Sequence, residues 1–177
     1  MSPLTEDMKR VVTEQRLGFV ATVCPDGTPN LSPKGTTAVW DDGRLIFADL
    51  RSPNTIRNLR VNPAIEINVV DPIARMGYRF KGTATILERG PDFERALAFF
   101  EPRLVQARKR VRAAVLIQVE QALALTSPSY DLGLSEDEVR ATWERHHRAL
   151  GEEYRRRRAE PERGERTPGR EISNVGD

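Results

Sequence analysis

The segment Asn30-Leu31-Ser32-Pro33-Lys34-Gly35-Thr36-Thr37 gathers hydroxyls and one ammonium group at alternating positions. On a strand, Ser32, Lys34 and Thr36 project from one face, and Leu31, Pro33, Gly35 and Thr37 from the other. Proline and glycine within a strand mark a bulge or an edge, where another group approaches the backbone closely. The polar face therefore offers donors and a cation to a ligand. It also fits a solvated edge strand whose charge guards against aggregation.

A second cluster lies at Asp49-Leu50-Arg51-Ser52-Pro53-Asn54-Thr55-Ile56-Arg57-Asn58. Ser52 precedes a proline suited to the first helical position, so backbone N–H groups, the Ser52 and Thr55 hydroxyls and the Arg51 and Arg57 guanidinium groups converge on a helix N-terminus. That is a seat for a phosphate. The dipole contributes only about 0.3–1 kcal/mol, against about 1.5–3 kcal/mol for each charge-assisted hydrogen bond, so the arginines would set affinity. An ordinary capped helix with solvated arginines is the alternative. A third stretch, Gly77 to Thr85, puts Arg79, Lys81, Thr83 and Thr85 on one strand face and Tyr78, Phe80, Gly82 and Ala84 on the other, either a second ligand wall or a plain solvent face.

The other reactive side chains are less suggestive. His146 and His147 are adjacent on a predicted helix, about 100° apart, and no cysteine or carboxylate cluster accompanies them, so no metal site is expected. Cys24, the only cysteine, permits no intramolecular disulfide and reads as a small residue at a strand end. Arg155 to Arg158 stand among Glu152, Glu153, Glu160 and Glu162, which favours a solvated helix end over nucleic acid. Trp40 and Trp143 are expected in a core or a dimer interface.

These residues need elements to hold them. Leu4 to Arg16 has the spacing of an amphipathic helix. Gly18–Cys24, Asn30–Trp40, Arg44–Leu50, Ala64–Asp71, Tyr78–Glu88 and Arg112–Ala122 read as six strands, joined at first by turns too short for parallel crossovers. A short helix follows Ser52 and stops before Asn62-Pro63, and a second, from Pro91 to about Arg110, is interrupted near Pro102. From Leu134 the chain is helical again, with Ser135 as N-cap and Glu138 closing a capping box. The pattern predicts a mainly β, α+β protein: a six-stranded antiparallel barrel of Greek-key or meander type with flanking helices. Residues 1–150 are expected to form the domain and its C-terminal helix, and 151–177 a charged helix end and a disordered tail.

The 177 residues suit one domain, which disfavours a two-domain enzyme, and 28 cationic against 26 anionic side chains give no case for nucleic acid. The longest apolar run, Ala113 to Ile117, is too short for a membrane span, and the first residues lack the pattern of a signal peptide, so a cytoplasmic protein is expected.

In order and spacing, the run from Gly18 to Glu88 resembles the pyridoxamine 5'-phosphate oxidase-like flavoproteins, whose split β-barrels dimerise and hold FMN in clefts at the interface. The matching pieces include Gly18-Phe-Val-Ala-Thr-Val, Leu31-Ser-Pro-Lys-Gly35, Leu45-Ile-Phe-Ala-Asp49, Ser52-Pro-Asn-Thr-Ile-Arg-Asn-Leu59, Asn62-Pro63 and Gly77-Tyr-Arg-Phe-Lys-Gly82. The resemblance implies that Ser32, Pro33, Lys34 and Gly35 lie along the flavin, with Phe47, Ala48 and Asp49 on the neighbouring strand. Ser52, Asn54, Thr55, Arg57 and Asn58 match the phosphate-binding turn and helix, and Arg79 and Lys81 stand on a further candidate cleft strand. Many relatives carry a basic residue where this chain has Asn54, which shifts the load to Arg57 and the backbone. The chain lacks the C-terminal segment by which true pyridoxamine phosphate oxidases recognise substrate, so that activity is not expected. A flavin carries its own hydride-accepting atom, which accounts for the absence of a nucleophile–base constellation. The implied function is a homodimeric FMN-dependent oxidoreductase acting on a small molecule. A deazaflavin-dependent reductase and a non-catalytic flavin- or haem-binding protein are the alternatives.

Overall fold

The computed structural model describes residues 3–102, 104 and 110–159. Its elements run α1 (Glu6–Gln15), β1 (Gly18–Val23), β2 (Pro29–Lys34), β3 (Ala38–Asp41), β4 (Arg44–Asp49), α2 (Pro53–Val61), β5 (Ala64–Asp71), β6 (Met76–Leu87), α3 (Pro91–Phe100), β7 (Ala113–Thr126), α4 (Pro128–Asp131) and α5 (Glu136–Ala159). They group into two compact units: residues 3–71 with 76–126, and residues 72–75 with 127–159.

The first unit holds one antiparallel sheet of seven strands, ordered β2-β1-β5-β6-β7-β4-β3, rather than the six read from the sequence. The difference lies in the expected Asn30–Trp40 strand. The Thr37 N–H and hydroxyl both donate to the Lys34 carbonyl, at 3.3 and 2.9 Å, and this turn cuts the strand in two. β2 then pairs with β1, and β3 with β4, at opposite edges of the sheet. From Lys34 to Ala38 the chain reaches at most roughly 14 Å. Seven strands laid flat would span about 29 Å from first to last. The three-residue link therefore forces the sheet to curl until its edges approach.

Inside the curl lie Phe47, Phe80, Leu45, Ile67, Ile117, Val20, Val69 and Val115, with Val11 and Val12 of α1 and Ile56 and Leu59 of α2 packed among them. Outside it, Ala38, Ile46, Ala48 and Ala114 form a second core with Ala96 and Phe100 of α3, where Trp40 packs on Phe99 with ring centroids 5.2 Å apart. β4 is thus covered on both faces, which explains its unbroken apolar run Leu45-Ile-Phe-Ala48 where a half-exposed strand would alternate.

Both helices of the inner core have local causes. α1 begins at Thr5, whose hydroxyl accepts the Met8 N–H, and ends at Arg16 in the left-handed region (φ 53°). The Tyr78 hydroxyl on β6 donates to Asp7 of α1; with Arg10, it holds the Asp7 carboxyl below its ordinary pKa. α2 begins with Pro53 at its first position and stops at Asn62-Pro63, as the sequence predicts. α3 ends at Phe100; the rest of the expected Pro91–Arg110 helix falls partly outside the described residues.

β6 carries the main irregularity of the sheet. Its register against β7 shifts between Lys81 and Gly82, leaving Glu120 as the extra residue on β7. A Cβ on Gly82 would lie 1.9 Å from the Gln118 carbonyl oxygen, so only glycine fits this approach.

In the second unit, the Tyr130 hydroxyl donates to the Ala74 carbonyl at 2.6 Å, and the Arg75 guanidinium lies 4.2 Å from the Trp143 ring centroid. The predicted capping box of α5 is present: the Ser135 N–H donates to the Glu138 carboxylate, and the Glu138 N–H to the Ser135 hydroxyl. The helix runs to Ala159; residues 160–177 of the segment expected as a charged helix end and disordered tail lie outside the described residues. No described helix is long and apolar enough to cross a membrane.

Two outcomes follow for stability. Gly82→Ala is expected to cost at least about 2 kcal/mol in urea unfolding, because the clash is with backbone. Asp7 has a folded pKa below its unfolded one, so its contribution is complete above the ordinary carboxylate value of about 4 and is lost as pH falls through the depressed folded value. Tyr78→Phe should lower the melting temperature at neutral pH, and the gap to the parent should narrow in acid.

Candidate functional site

The two clusters that the sequence singles out first meet at the seam where the sheet edges approach. A cavity of about 510 Å³ is lined by Ser32, Pro33, Lys34, Gly35 and Thr36 on one side and by Ala48, Leu50, Arg51 and Ser52 on the other. Its volume falls within the roughly 300–1,000 Å³ range of small-molecule sites.

β2 is built inside out. Leu31 is 64% exposed, whereas Ser32 and Lys34 point inward, and Lys34 is only 4% exposed. The alternation predicted for Ser32 and Lys34 holds, and burial rules out the solvated-edge reading of Lys34. β2 ends at Lys34; beyond it Thr36 still lines the same cavity, whereas Thr37, expected on the opposite face, is buried. The Lys34 ammonium donates to the Ser32 hydroxyl and, at 2.7 Å, to that of Ser52, and sits 5.9 Å from the Phe47 ring centroid. Ser52 occupies the N-cap position of α2 without capping it by its side chain. Instead its hydroxyl ties Lys34 to the helix N-terminus, while its N–H donates to Asp49 at 2.8 Å. Asp49 is itself buried at the end of β4.

Thr36 holds the seam together. Its hydroxyl accepts the Ala48 N–H at 2.9 Å and donates to the Ala48 carbonyl at 3.2 Å. One side chain thereby satisfies both backbone groups of a β4 residue, as a neighbouring strand would.

The remaining sequence candidates lie elsewhere. Phe47 sits in the inner core, beneath Lys34. Thr55 and Asn58 are buried on α2, and the Asn58 amide donates to the Thr22 hydroxyl at 3.1 Å and to the Cys24 sulfur at 3.4 Å, a tie between α2 and β1. Asn54 is half-buried and Arg57 exposed; neither lines the seam cavity. Arg79 and Lys81 belong to the outer face of β6 and both approach Glu66 on β5. Arg79 Nε is 2.9 Å from its carboxylate, an ion pair not aligned as a hydrogen bond, and Lys81 Nζ is 3.5 Å away. Lys81 and Glu66 border a separate, smaller cavity of about 420 Å³ with Ala21, Val23 and Pro29. Among the described residues no cluster of three His, Cys, Asp or Glu side chains could hold a metal.

Thr36, Leu50 and Arg51 are cavity residues that the resemblance did not supply. Arg51 and Thr36 had a signal, as a guanidinium beside the helix start and a hydroxyl next to Lys34. Leu50 had none, since one apolar residue after a strand has no distinguishing pattern.

Residues 4–125 match the family model described as pyridoxamine 5'-phosphate oxidase. The crystal structure of HupZ from Group A Streptococcus is 35% identical, with a TM-score of 0.63, over 70% of this chain and 95% of that one. An F420 reductase is 24% identical with a TM-score of 0.54, covering 68% and 98%, and an FMN-binding protein of Syntrophomonas wolfei is 14% identical with a TM-score of 0.58, covering 69% and 86%. The last two likenesses are of fold alone. The match across the curled sheet and both cavity-lining segments establishes that this chain belongs to the pyridoxamine 5'-phosphate oxidase family.

Proposed function

We propose that the protein is an FMN-dependent oxidoreductase that works as a homodimeric split barrel on a small molecule. The observation that carries this reading is the buried Lys34 ammonium, fixed by two hydroxyls beside a cavity that also meets the N-terminus of α2. That donor set suits a flavin: a cation for its electron-rich edge, hydroxyls for polar ring atoms, and Arg51 with a helix start for a phosphate. The F420 reductase of similar fold favours a deazaflavin as the second reading.

When bound, a flavin supplies the hydride-accepting centre, and the chain supplies position and field. Lys34 would face the pyrimidine edge, where its charge would favour the reduced, anionic form. Ser32 and Ser52 hold the ammonium in place, so its side-chain entropy is lost on folding instead of on binding. Pro33, Gly35 and the strand end Ala48–Asp49 would border the ring, and Phe47 in the core would support Lys34 from beneath. Ser52, Asn54 and Thr55 would form the helix start that receives the phosphate, and Arg57, exposed on α2, would supply a guanidinium for it. Asn58 anchors that helix to β1. Arg79 and Lys81 serve the second wall of the cleft, and the homodimer brings such walls together.

Titration with FMN, a deazaflavin coenzyme and haem, followed by visible spectra, tests the reading. Saturable FMN binding is expected; deazaflavin binding alone moves the protein to the second reading, haem binding alone overturns both, and binding of none overturns them as well. Lys34→Met should weaken FMN about tenfold or more, the loss expected for one charge-assisted hydrogen bond. Arg57→Ala should weaken FMN far more than riboflavin; equal losses would remove Arg57 from the phosphate site.

A further inference from the structure

Ala48 presents an open length of strand edge to the seam. The β3–β4 register, Ala38 opposite Ile46 and Val39 opposite Leu45, would set Thr36 opposite Ala48 if the ladder ran two residues further. It stops short because the Thr37 N–H and hydroxyl both donate to the Lys34 carbonyl, and that turn leaves Thr36 outside the strand. The next residue, Asp49, is served from the β7 side, where its carbonyl accepts the Arg112 N–H at 2.9 Å. Backbone groups of successive strand residues point to opposite edges, so those of Ala48 face the seam.

One hydroxyl meets both of them. Thr36 Oγ1 accepts the Ala48 N–H at 2.9 Å and donates to the Ala48 carbonyl at 3.2 Å, its only hydrogen bonds among the described residues. A change of staggered rotamer about Cα–Cβ releases both together. Thr36 and Ala48 line the cavity of about 510 Å³ along with Lys34, so a molecule that enters it meets this pair.

Few ligand groups can replace that hydroxyl. The two backbone groups of an extended residue lie side by side, a donor next to an acceptor, and a planar edge with a carbonyl beside an N–H satisfies both. An anion could take only the Ala48 N–H. A purely accepting or apolar edge would leave the Ala48 carbonyl without a partner, which is costly where water is partly excluded. Flavins and deazaflavins carry the required edge in the imide of their pyrimidine ring, and haem has none. Resting on the flavin reading, we propose that the Ala48 main chain selects ligands by an imide edge, with the Thr36 hydroxyl as its internal competitor, which yields both bonds to the ligand. The exchange is two bonds for two. Thr36 therefore adds no affinity and instead rejects molecules that cannot make the pair.

FMN and its N3-methylated analogue, which keeps both carbonyls and loses the imide N–H, are the probes, with binding followed by flavin fluorescence on the full chain. The parent should prefer FMN by about tenfold or more. Thr36→Val keeps the branched Cβ and removes the competitor, so it should bind FMN about threefold or more tighter, and Thr36→Ser should return the parent's affinity. Weaker FMN binding by Thr36→Val would make Thr36 a ligand contact, and equal affinities of the parent for the two flavins would show that the imide is not read; either result overturns the proposal. A measurement on the parent needs no substitution. In the complex with isotope-labelled FMN, nuclear magnetic resonance should show a coupling across the hydrogen bond between flavin N3 and the Ala48 carbonyl carbon, and N3 paired with any other group overturns the proposal. Failure of FMN and the deazaflavin coenzyme alike to bind overturns the flavin reading and this inference with it. Tight FMN binding that is indifferent to N3 methylation overturns this inference alone.

Discussion

The Thr36 hydroxyl, bonded to both the N–H and the carbonyl of Ala48, is the contact on which the arrangement of the sheet turns. The three residues between β2 and β3 oblige the two edge strands to approach, but nothing in chain connectivity fixes how closely or in what register. A full strand ladder across the gap would close it and leave no room for a ligand. A single side chain satisfies one residue of β4 and stops there, so the seam is pinned at one point and stays open above Lys34. Serine could make the same two bonds, but threonine's branched Cβ restricts its rotamers and lowers the entropy spent in holding them.

Burying a lysine beside this seam is costly for folding, because an ammonium loses hydration that polar partners, the Ser32 and Ser52 hydroxyls among them, must replace. The chain organises that cost instead of avoiding it. Ser32 and Ser52 come from segments far apart in sequence and meet on the same ammonium, so the charge is ordered only when β2, the end of β4 and the start of α2 are all in place. Ser52 gives up its customary side-chain cap to do so. Local helix stability is thereby exchanged for a fixed cation, a pattern found where a site and not the core sets the sequence.

Most of the framework was legible because its causes are local. The boundaries of α1 and α2, the strand Ala64–Asp71 and the capping box at Ser135 each follow from a cap, a proline or a periodicity within a few residues. The split between β2 and β3 was not legible, since β-branched and apolar residues continue through Thr36-Thr37-Ala38-Val39 and only the pairing of each half with a different partner divides them. The site shows the same division. Ser32 and Lys34 declared their shared face through strand alternation, whereas Ser52 reaches Lys34 only through the curl of the sheet. Asn58 entered the expected site through the family resemblance, as part of the phosphate-binding helix; its full burial against Thr22 and Cys24 is a long-range fact that no local pattern carries.

The inverted amphipathy of β2 has a consequence for the opposite face of the sheet. With Ser32 and Lys34 turned inward, Leu31 and Pro33 must face out, and the register continues them across β1 as Leu31–Ala21 and Pro33–Phe19. Phe19 in turn stands beside Asn68, and Asn68 beside Arg79, while Ala21 stands beside Glu66, and Glu66 beside Lys81. Each row thus passes from apolar side chains on β2 and β1 to polar or charged ones on β5 and β6. An edge strand that exposes Leu31 to 64% would be an aggregation hazard in isolation, and here charge stands two or three strands away. The proposed homodimer gives this face a use: apolar rows bounded by an ion-pair network have the composition of an interface with a hydrophobic centre and a polar rim. The requirement that Lys34 point into the seam and the exposure of Leu31 on the other side are one constraint, imposed by the two-residue period of a strand.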